Sequence, residues 1–193
     1  MRQILTLLFT ILLITGCATA TKTKPPAPCN DISAAEGEKL DNILVWGEGF
    51  KFKVKEPPGW KADCSNAANI HANILFYKQE ESFETATTLI YLRVNEKSDE
   101  YVEKDLEWDM EQYRKRYPNI QFKDIPVSHP EYKIYSKLFY IKGVFYEYVT
   151  YINPGEGNPH TISAAMNVQR EEASEEELAA YQNIIETLIL FNR

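Results

Sequence analysis

Residues that could carry acid–base or nucleophilic chemistry are few and scattered along the chain. The histidines, His71, His129 and His160, lie far apart in sequence, and none belongs to a metal-binding pair such as HExxH. Ser128 and His129 are adjacent, a spacing that does not position a catalytic triad, and no Gly-x-Ser-x-Gly pattern occurs. The sequence therefore predicts no catalytic, cofactor-binding or metal-binding residue, and we expect a protein that is not an enzyme.

Carboxylates offer the other possible chemistry, because Ca²⁺ and Mn²⁺ prefer oxygen ligands. Residues 96–111 include eight acids and two lysines, and Glu103, Glu107 and Glu111 would share one face of a helix. A basic run at 114–116 follows. Acids at the start of a helix and bases at its end complement the helix dipole. This order favours a solvated helix over a metal site.

The amino-terminal segment has the parts of an export signal. Arg2 supplies positive charge, and an apolar run extends from Ile4 to Ile14. As a helix this run would span about 16 Å, against roughly 30 Å for a bilayer core, so it is too short to cross a membrane. The run ends in Ile14-Thr15-Gly16-Cys17, which resembles the lipobox of bacterial lipoproteins.

The lipobox resemblance implies a lipid anchor at Cys17. In that family the cysteine thiol receives diacylglycerol, the signal peptide is cut before the cysteine, and the new amino terminus is usually acylated. Two or three acyl chains give stable membrane attachment. Because Ala18 and not Asp follows, the resemblance implies the outer membrane, facing the periplasm, in a cell that has one. A secretory signal with a chance cysteine is the alternative.

Composition divides the chain into a signal peptide at 1–16, a Pro-rich tether at 17–42 and one globular domain at 43–193. The stretch TKTKPPAP is polar and Pro-rich, so we expect the tether to be extended and solvated. A short helix at 31–40 is possible, although Gly37 weakens it.

Two further cysteines, Cys29 and Cys64, remain once Cys17 is lipidated. An even pair in an exported protein favours a disulfide, which would staple the tether to the domain. Two free thiols or a redox pair are the alternatives. Redox pairs usually have a Cys-x-x-Cys spacing, which is absent here.

Alternating apolar residues predict strands over most of the domain. Phe50–Lys55 places Phe52 and Val54 on one face and three lysines on the other. The strands around Lys142-Gly143 are apolar on both faces and therefore need cover on both sides. The predicted strands are Ile43–Trp46, Phe50–Lys55, Ile70–Lys78, Ala86–Val94, Asn119–Val127, Tyr132–Ile141, Val144–Ile152 and His160–Val168.

Two amphipathic helices are predicted to supply that cover. The first lies between Ser98 and Tyr117, and the second begins at Ser174 in a capping-box pattern. The predicted buried stripes are Val102, Leu106, Met110, Tyr113 and Tyr117 in the first helix, and Leu178, Tyr181, Ile185 and Leu188 in the second. These elements indicate an α+β fold, a mainly antiparallel sheet flanked by helices.

A possible interaction surface lies on the first helix. Tyr101 and Trp108 share a line of the helical wheel roughly 150° from the buried stripe, so they should not face the sheet. Exposed aromatic side chains of this size cost solvation unless something covers them. The cover is either the tether around 31–40 or a protein partner.

The motif Phe50-x-Phe52-x-Val54 with Pro57-Pro58-Gly59-Trp60 resembles the opening of PsbP-like and Mog-type domains. The order of elements from 43 to 191 is also similar to that family. The resemblance implies an α/β/α sandwich and a non-catalytic role, because the family's best-known members bind other proteins. No residue matches a known partner-binding surface of the family, so no binding residue is implied.

Charge and composition limit the partners. The 193-residue chain has 28 acidic and 21 basic residues and a net charge of −7, which disfavours nucleic acid. The sequence thus predicts a lipid-anchored envelope protein, held to the membrane through acylated Cys17, that acts as a non-catalytic binding or assembly module for another envelope protein. A small-molecule or lipid-binding module is the alternative, and a hydrolase ranks third.

Overall fold

The computed structural model describes residues 29–31, 42–97, 102–169 and 171–191, and for 29–31 it describes the backbone only. The predicted signal peptide lies outside these residues. Of the tether at 17–42, the structure describes only Cys29–Asp31, which form a strand, and Asn42, which begins another. Of the predicted helix at 31–40, only Asp31 is described, and it lies in the first of these strands.

Two helices and eleven strands form within the described residues. They are β1 (Cys29–Asp31), β2 (Asn42–Gly47), β3 (Phe50–Lys55), β4 (Trp60–Asp63), β5 (Ile74–Lys78), β6 (Thr88–Glu96), α1 (Val102–Arg116), β7 (Gln121–Asp124), β8 (Lys133–Ile141), β9 (Phe145–Asn153), β10 (His160–Gln169), α2 (Glu175–Thr187) and β11 (Ile189–Leu190).

The strands form two antiparallel sheets. A central sheet has the order β4-β5-β6-β10-β9-β8-β7, and a small sheet has the order β1-β2-β3-β11. Each neighbouring pair of strands is antiparallel. The predicted α+β class, with a mainly antiparallel sheet flanked by helices in a single domain, is confirmed.

Both faces of the central sheet are covered, as its two-sided apolar strands require. On one face α2 and the inner side of the small sheet enclose the larger core, where Phe52, Phe76, Ile162 and Tyr181 are fully buried. On the other face α1 packs over β8 and β9. The layers are therefore helix α1, then the central sheet, then α2 with the small sheet.

The predicted buried stripe of α2 is wrong at one position. Leu178 is 37% exposed, whereas Glu177 and Ala180 are buried. The helix turns Glu177 inward because its carboxylate accepts the backbone N–H of Ser174 at 2.8 Å and the Thr88 hydroxyl at 2.6 Å. The predicted capping box at Ser174 is confirmed by the same contacts.

Some strand boundaries also differ from the sequence prediction. The predicted strand from Ile70 begins only at Ile74, because Ala67–Ile70 forms a 3₁₀ turn that ends at His71 in the left-handed region (φ 56°). Strand β4 was not predicted. It follows a turn at Gly59 (φ 78°), closed by the N–H of Trp60 donating to the Pro57 carbonyl at 3.1 Å.

Candidate interaction surface on helix α1

Helix α1 is seated on the central sheet by an apolar stripe. Val102 and Leu106 are buried against Phe139 and Val149 of β8 and β9. Further along the helix, the Tyr113 ring meets Phe139 edge-on, with 5.0 Å between ring centroids. The stripe that the sequence predicts for this helix is the one that faces the sheet.

Two carboxylates of α1 bond tyrosines of the sheet beneath it. Glu103 accepts the Tyr135 hydroxyl and forms an ion pair with Lys133 at 3.0 Å. Asp109 accepts the Tyr151 hydroxyl. These contacts fix the rotation of the helix in addition to its apolar stripe. The sequence reading of this acidic face as wholly solvated missed them.

In a third contact of this kind, the tyrosine is on the helix and the carboxylate is on the sheet. Glu147 is a buried carboxylate on β9, and it accepts the hydroxyl of Tyr113 on α1 and that of Tyr91 on β6, the latter at 3.1 Å. Glu147 is the one charged residue of β9. An acid in so apolar a strand is the signal from which this cluster could have been found.

The electrostatics of this layer favour a structural role for these pairs. Burial raises the pKa of Tyr91, Tyr113 and Tyr151, and the carboxylates beside them raise it further. These phenols therefore stay protonated at neutral pH and act as hydrogen-bond donors. Each of these tyrosine hydroxyls already donates to a carboxylate within the layer. The bonds between α1 and the sheet therefore serve to hold the helix in position.

Trp108 lies on the outward side of this fixed helix and is 61% exposed. Charged residues of the same helix surround it, among them Glu111 and Lys115, which form an ion pair at 3.0 Å. Tyr101, its predicted companion, lies outside the described residues. Trp108 is thus a large aromatic side chain exposed to solvent, on a helix whose position is fixed by its contacts with the central sheet.

The other predicted site residues are far from this surface or outside the described residues. Cys17 is not among those residues. The backbone of Cys29 pairs opposite Val45 in β1, and Cys64 follows β4, half-buried against the larger core. The disulfide between Cys29 and Cys64 stays a prediction.

The described residues offer no candidate metal-binding group, and the ring of His129 is already bonded. They contain no group of three His, Cys, Asp or Glu residues that could hold a metal ion. The ring of His129 bonds backbone groups, with Nδ1 accepting the N–H groups of Glu131 and Tyr132 and Nε2 lying 2.9 Å from the Leu188 carbonyl oxygen. It also stacks on the Tyr132 ring, with 4.3 Å between ring centroids. These bonds give His129 a structural role between a loop and the end of α2.

An open cleft of about 340 Å³ lies where β7 diverges from β8. Its lining includes the apolar side chains of Leu106 and Ile134 and the ion pair of Lys137 with Asp124, 2.5 Å apart. None of the described helices is both long enough and apolar enough to cross a bilayer.

Comparisons with known proteins find similarity among solved structures. No family model matches the chain, and no curated protein matches it. Among solved structures, the chain is similar to cyanobacterial PsbP (CyanoP) from Synechocystis sp. PCC 6803, with 11% sequence identity and a TM-score of 0.47. The similarity covers 84% of this chain and 100% of that one. The strand order and the two helices by themselves define the α+β class stated above.

Proposed function

We propose that this protein is a lipid-anchored envelope protein that acts as a non-catalytic binding or assembly module, and that it meets its partner through the outward face of α1 around Trp108. The observation that carries the proposal is the 61% exposure of Trp108 on a helix held by three carboxylate–tyrosine contacts.

The position of Trp108 suits an interface anchor. Tryptophan is among the residues that most often dominate binding energy at protein interfaces. A side chain presented on an already ordered helix loses less conformational entropy on binding than one on a flexible loop. The pairing of the nearby phenols and carboxylates with each other supports a non-catalytic role for this layer.

Site-specific photocrosslinking in intact cells tests the surface. A photoreactive residue in place of Trp108 should capture one envelope protein, identified by mass spectrometry. The same residue in place of Leu178, which is 37% exposed on α2 and so lies on the opposite side of the central sheet, serves as the matched control and should not capture it. Equal capture from both positions would contradict the proposal.

Stability measurements separate a partner from intramolecular cover by the tether. If Trp108 awaits a partner, Trp108→Ala should change the free energy of unfolding by no more than about 0.5 kcal/mol. The control Trp60→Ala removes a side chain only 2% exposed and should cost about 3–5 kcal/mol. A large loss for Trp108→Ala, with crosslinks to residues 31–40, would support tether cover and exclude the partner.

The anchor at Cys17 is tested by fractionation. Cys17→Ser should carry no lipid and accumulate as an uncleaved precursor, because the lipoprotein signal peptidase acts on the modified cysteine. In a cell with two membranes, we expect the wild-type protein in the outer membrane, facing the periplasm. A Cys17→Ser protein that is processed normally and stays with membranes would disprove the anchor.

The cleft beside β8 supports a second candidate, a small-molecule or lipid-binding module. A volume of about 340 Å³ is within the range of small-ligand sites. Native mass spectrometry of the purified protein should then show a bound molecule that is lost when Ile134→Trp fills the cleft. An unliganded spectrum for wild-type protein taken directly from the envelope would exclude this candidate.

A further inference from the structure

The small sheet has two chemically different faces. On β3, Phe52 and Val54 point inward and are fully buried, so the alternate residues Lys51, Lys53 and Lys55 lie on the outer face. Lys51 and Lys55 are exposed, and Lys53 is half-buried. One strand thus places three positive charges in a single column.

Apolar side chains flank this column on both sides. On β2, Trp46 pairs opposite Lys51 and Leu44 pairs opposite Lys53, and residues opposite each other in an antiparallel pair share a face. On the other side, Ile189 of β11 pairs opposite Lys53. Phe191 follows, 39% exposed, with the Lys51 ammonium 5.4 Å from its ring centroid. We call these seven residues the lysine face.

The positive charge of the lysine face is not neutralised locally. Within the part of the chain that the structure describes, no carboxylate forms an ion pair with Lys51, Lys53 or Lys55. The chain as a whole carries a net charge of −7. The lysine face is therefore a basic, partly apolar patch on an acidic protein.

We propose that the lysine face rests on the anionic headgroup layer of the membrane to which the protein is anchored. Lysines near an anionic surface are attracted to phosphate groups, while their methylene stems lie along apolar surface. Trp46 and Phe191 supply the amphipathic and apolar contacts that suit the interface between headgroups and acyl chains. An anionic lipid surface therefore suits both the lysines and the apolar side chains of the lysine face.

The place of the anchor supports the same orientation. Cys29 begins β1, the outer strand of the small sheet, and follows Cys17 by twelve residues. Twelve residues span at most about 43 Å, so this sheet is tied close to the bilayer. This step rests on the proposed anchor at Cys17, whereas the charge of the lysine face does not.

Trp46 reports docking directly in the full, membrane-attached chain. In a Trp108→Phe background the remaining tryptophans are Trp46 and the buried Trp60. The protein is reconstituted into vesicles of phosphatidylcholine alone or mixed with phosphatidylglycerol, with bromine atoms on the acyl chains as quenchers. We expect Trp46 fluorescence to be quenched in the anionic vesicles and much less in the neutral ones.

Charge variants decide whether the lysines cause the docking. The triple change Lys51→Gln, Lys53→Gln and Lys55→Gln should weaken docking on the order of 100-fold, because each lysine near an anionic surface contributes roughly fivefold. Replacement of the same three lysines by arginine should preserve quenching. The matched control changes three exposed or ion-paired lysines elsewhere to Gln and should leave quenching unchanged: Lys115, Lys123 and Lys142.

Two results would overturn the proposal. One is equal quenching of Trp46 in neutral and anionic vesicles, and the other is equal quenching in the Gln triple and its control. Unchanged melting temperatures of the variants show that they fold. Flotation with neutral vesicles reports the lipid anchor separately, so a failure of the anchor at Cys17 is distinguishable from a failure of the lysine face.

Discussion

Asp109 is half-buried and Glu177 is buried, yet their surroundings move their pKa values in opposite directions. Burial raises the pKa of Asp109, and the bond from Tyr151 and the charge of Arg93 offset this only in part. Burial also acts to raise the pKa of Glu177, but bonds from Thr88 and Ser174, with the nearby Lys78, lower it overall. The number and charge of the partners decide the sign.

The raised pKa of Asp109 predicts that its charge costs stability. A carboxyl group whose folded pKa lies above its unfolded value is penalised when ionised, and the penalty disappears as the pH falls below the ordinary value of 3.8. Asp109→Asn removes the charge, while the amide oxygen still accepts the Tyr151 hydroxyl. We expect urea denaturation near pH 7 to show a gain of up to about 1 kcal/mol.

The same comparison near pH 3 should show no gain, because Asp109 is then neutral in both states. Glu107→Gln, an exposed neighbour on the same helix, is the control and should change stability little at either pH. A loss of stability for Asp109→Asn near pH 7 would show that the ionised carboxylate stabilises α1.

The sequence predicts which face of a helix is exposed, but not the long-range partners of a buried acid. The exposure of Trp108 followed from helical spacing alone, since the buried stripe of α1 fixes the opposite face. The contacts of Glu147 with Tyr91 and of Glu177 with Thr88 did not follow, because each pair is distant in sequence and meets only in the folded protein. A pattern of period 3.6 or 2 contains no information about such contacts.

Among the elements, helix α2 depends on its first turn. Glu177 accepts the Ser174 backbone N–H at 2.8 Å, the Thr88 hydroxyl at 2.6 Å, and lies 3.5 Å from the Lys78 ammonium. One side chain therefore caps the helix and ties it to β5 and β6. Both the start of α2 and its seat on the sheet depend on the ionised form.

Glu177→Gln should lower the free energy of unfolding by about 1.5–3 kcal/mol near pH 7, the usual size for hydrogen bonds to a charged group. Because the folded pKa of Glu177 is lowered, its stabilisation is complete above the ordinary value of 4.5 and is lost as the pH falls through the folded pKa. Urea denaturation near pH 7 and near pH 3 should show this difference shrinking.

Glu175→Gln is the matched control, because Glu175 is exposed in the same helical turn and contributes mainly through the helix dipole. It should cost no more than about 1 kcal/mol. An undiminished Glu177→Gln effect near pH 3 would mean that shape, and not charge, holds the first turn.

The order of the elements could be predicted from the sequence, but their ends and one position of the α2 stripe, Leu178, could not. The alternation in Phe50–Lys55 and the capping box at Ser174 are local patterns, and the structure confirms both. The short strand β4 alternates over only the four residues Trp60–Asp63, a run too short to distinguish it from a loop. It forms because Trp60 is buried in the larger core.

For the whole molecule, the predicted disulfide would join the edge of the small sheet to the central sheet. Cys29 begins β1, and Cys64 directly follows β4. The bridge would close a loop of 35 residues, which the chain-entropy model values at roughly 3.8 kcal/mol. Its place suggests that it holds the tether against the domain.

The mature protein isolated without reductant should therefore show no thiol that reacts with Ellman's reagent, and reduction should lower its melting temperature. Cys29→Ser with Cys64→Ser should melt at the temperature of the reduced wild-type protein, which separates loss of the bridge from damage by the reductant. Reactive thiols in protein kept oxidised throughout isolation would rule out the bridge.

The pairing of β11 with β3 joins two segments that the ribosome synthesises at widely separated times. Residues 189–190 lie against residues 52–53, and the Lys55 N–H donates to the Thr187 hydroxyl across a separation of 132 residues. Such long-range closure makes folding slow, because loop entropy is lost before the contacts form. A nascent chain cannot complete this sheet until Leu190 has emerged, so resistance to proteases should arise in a single late step and not progressively from the amino terminus.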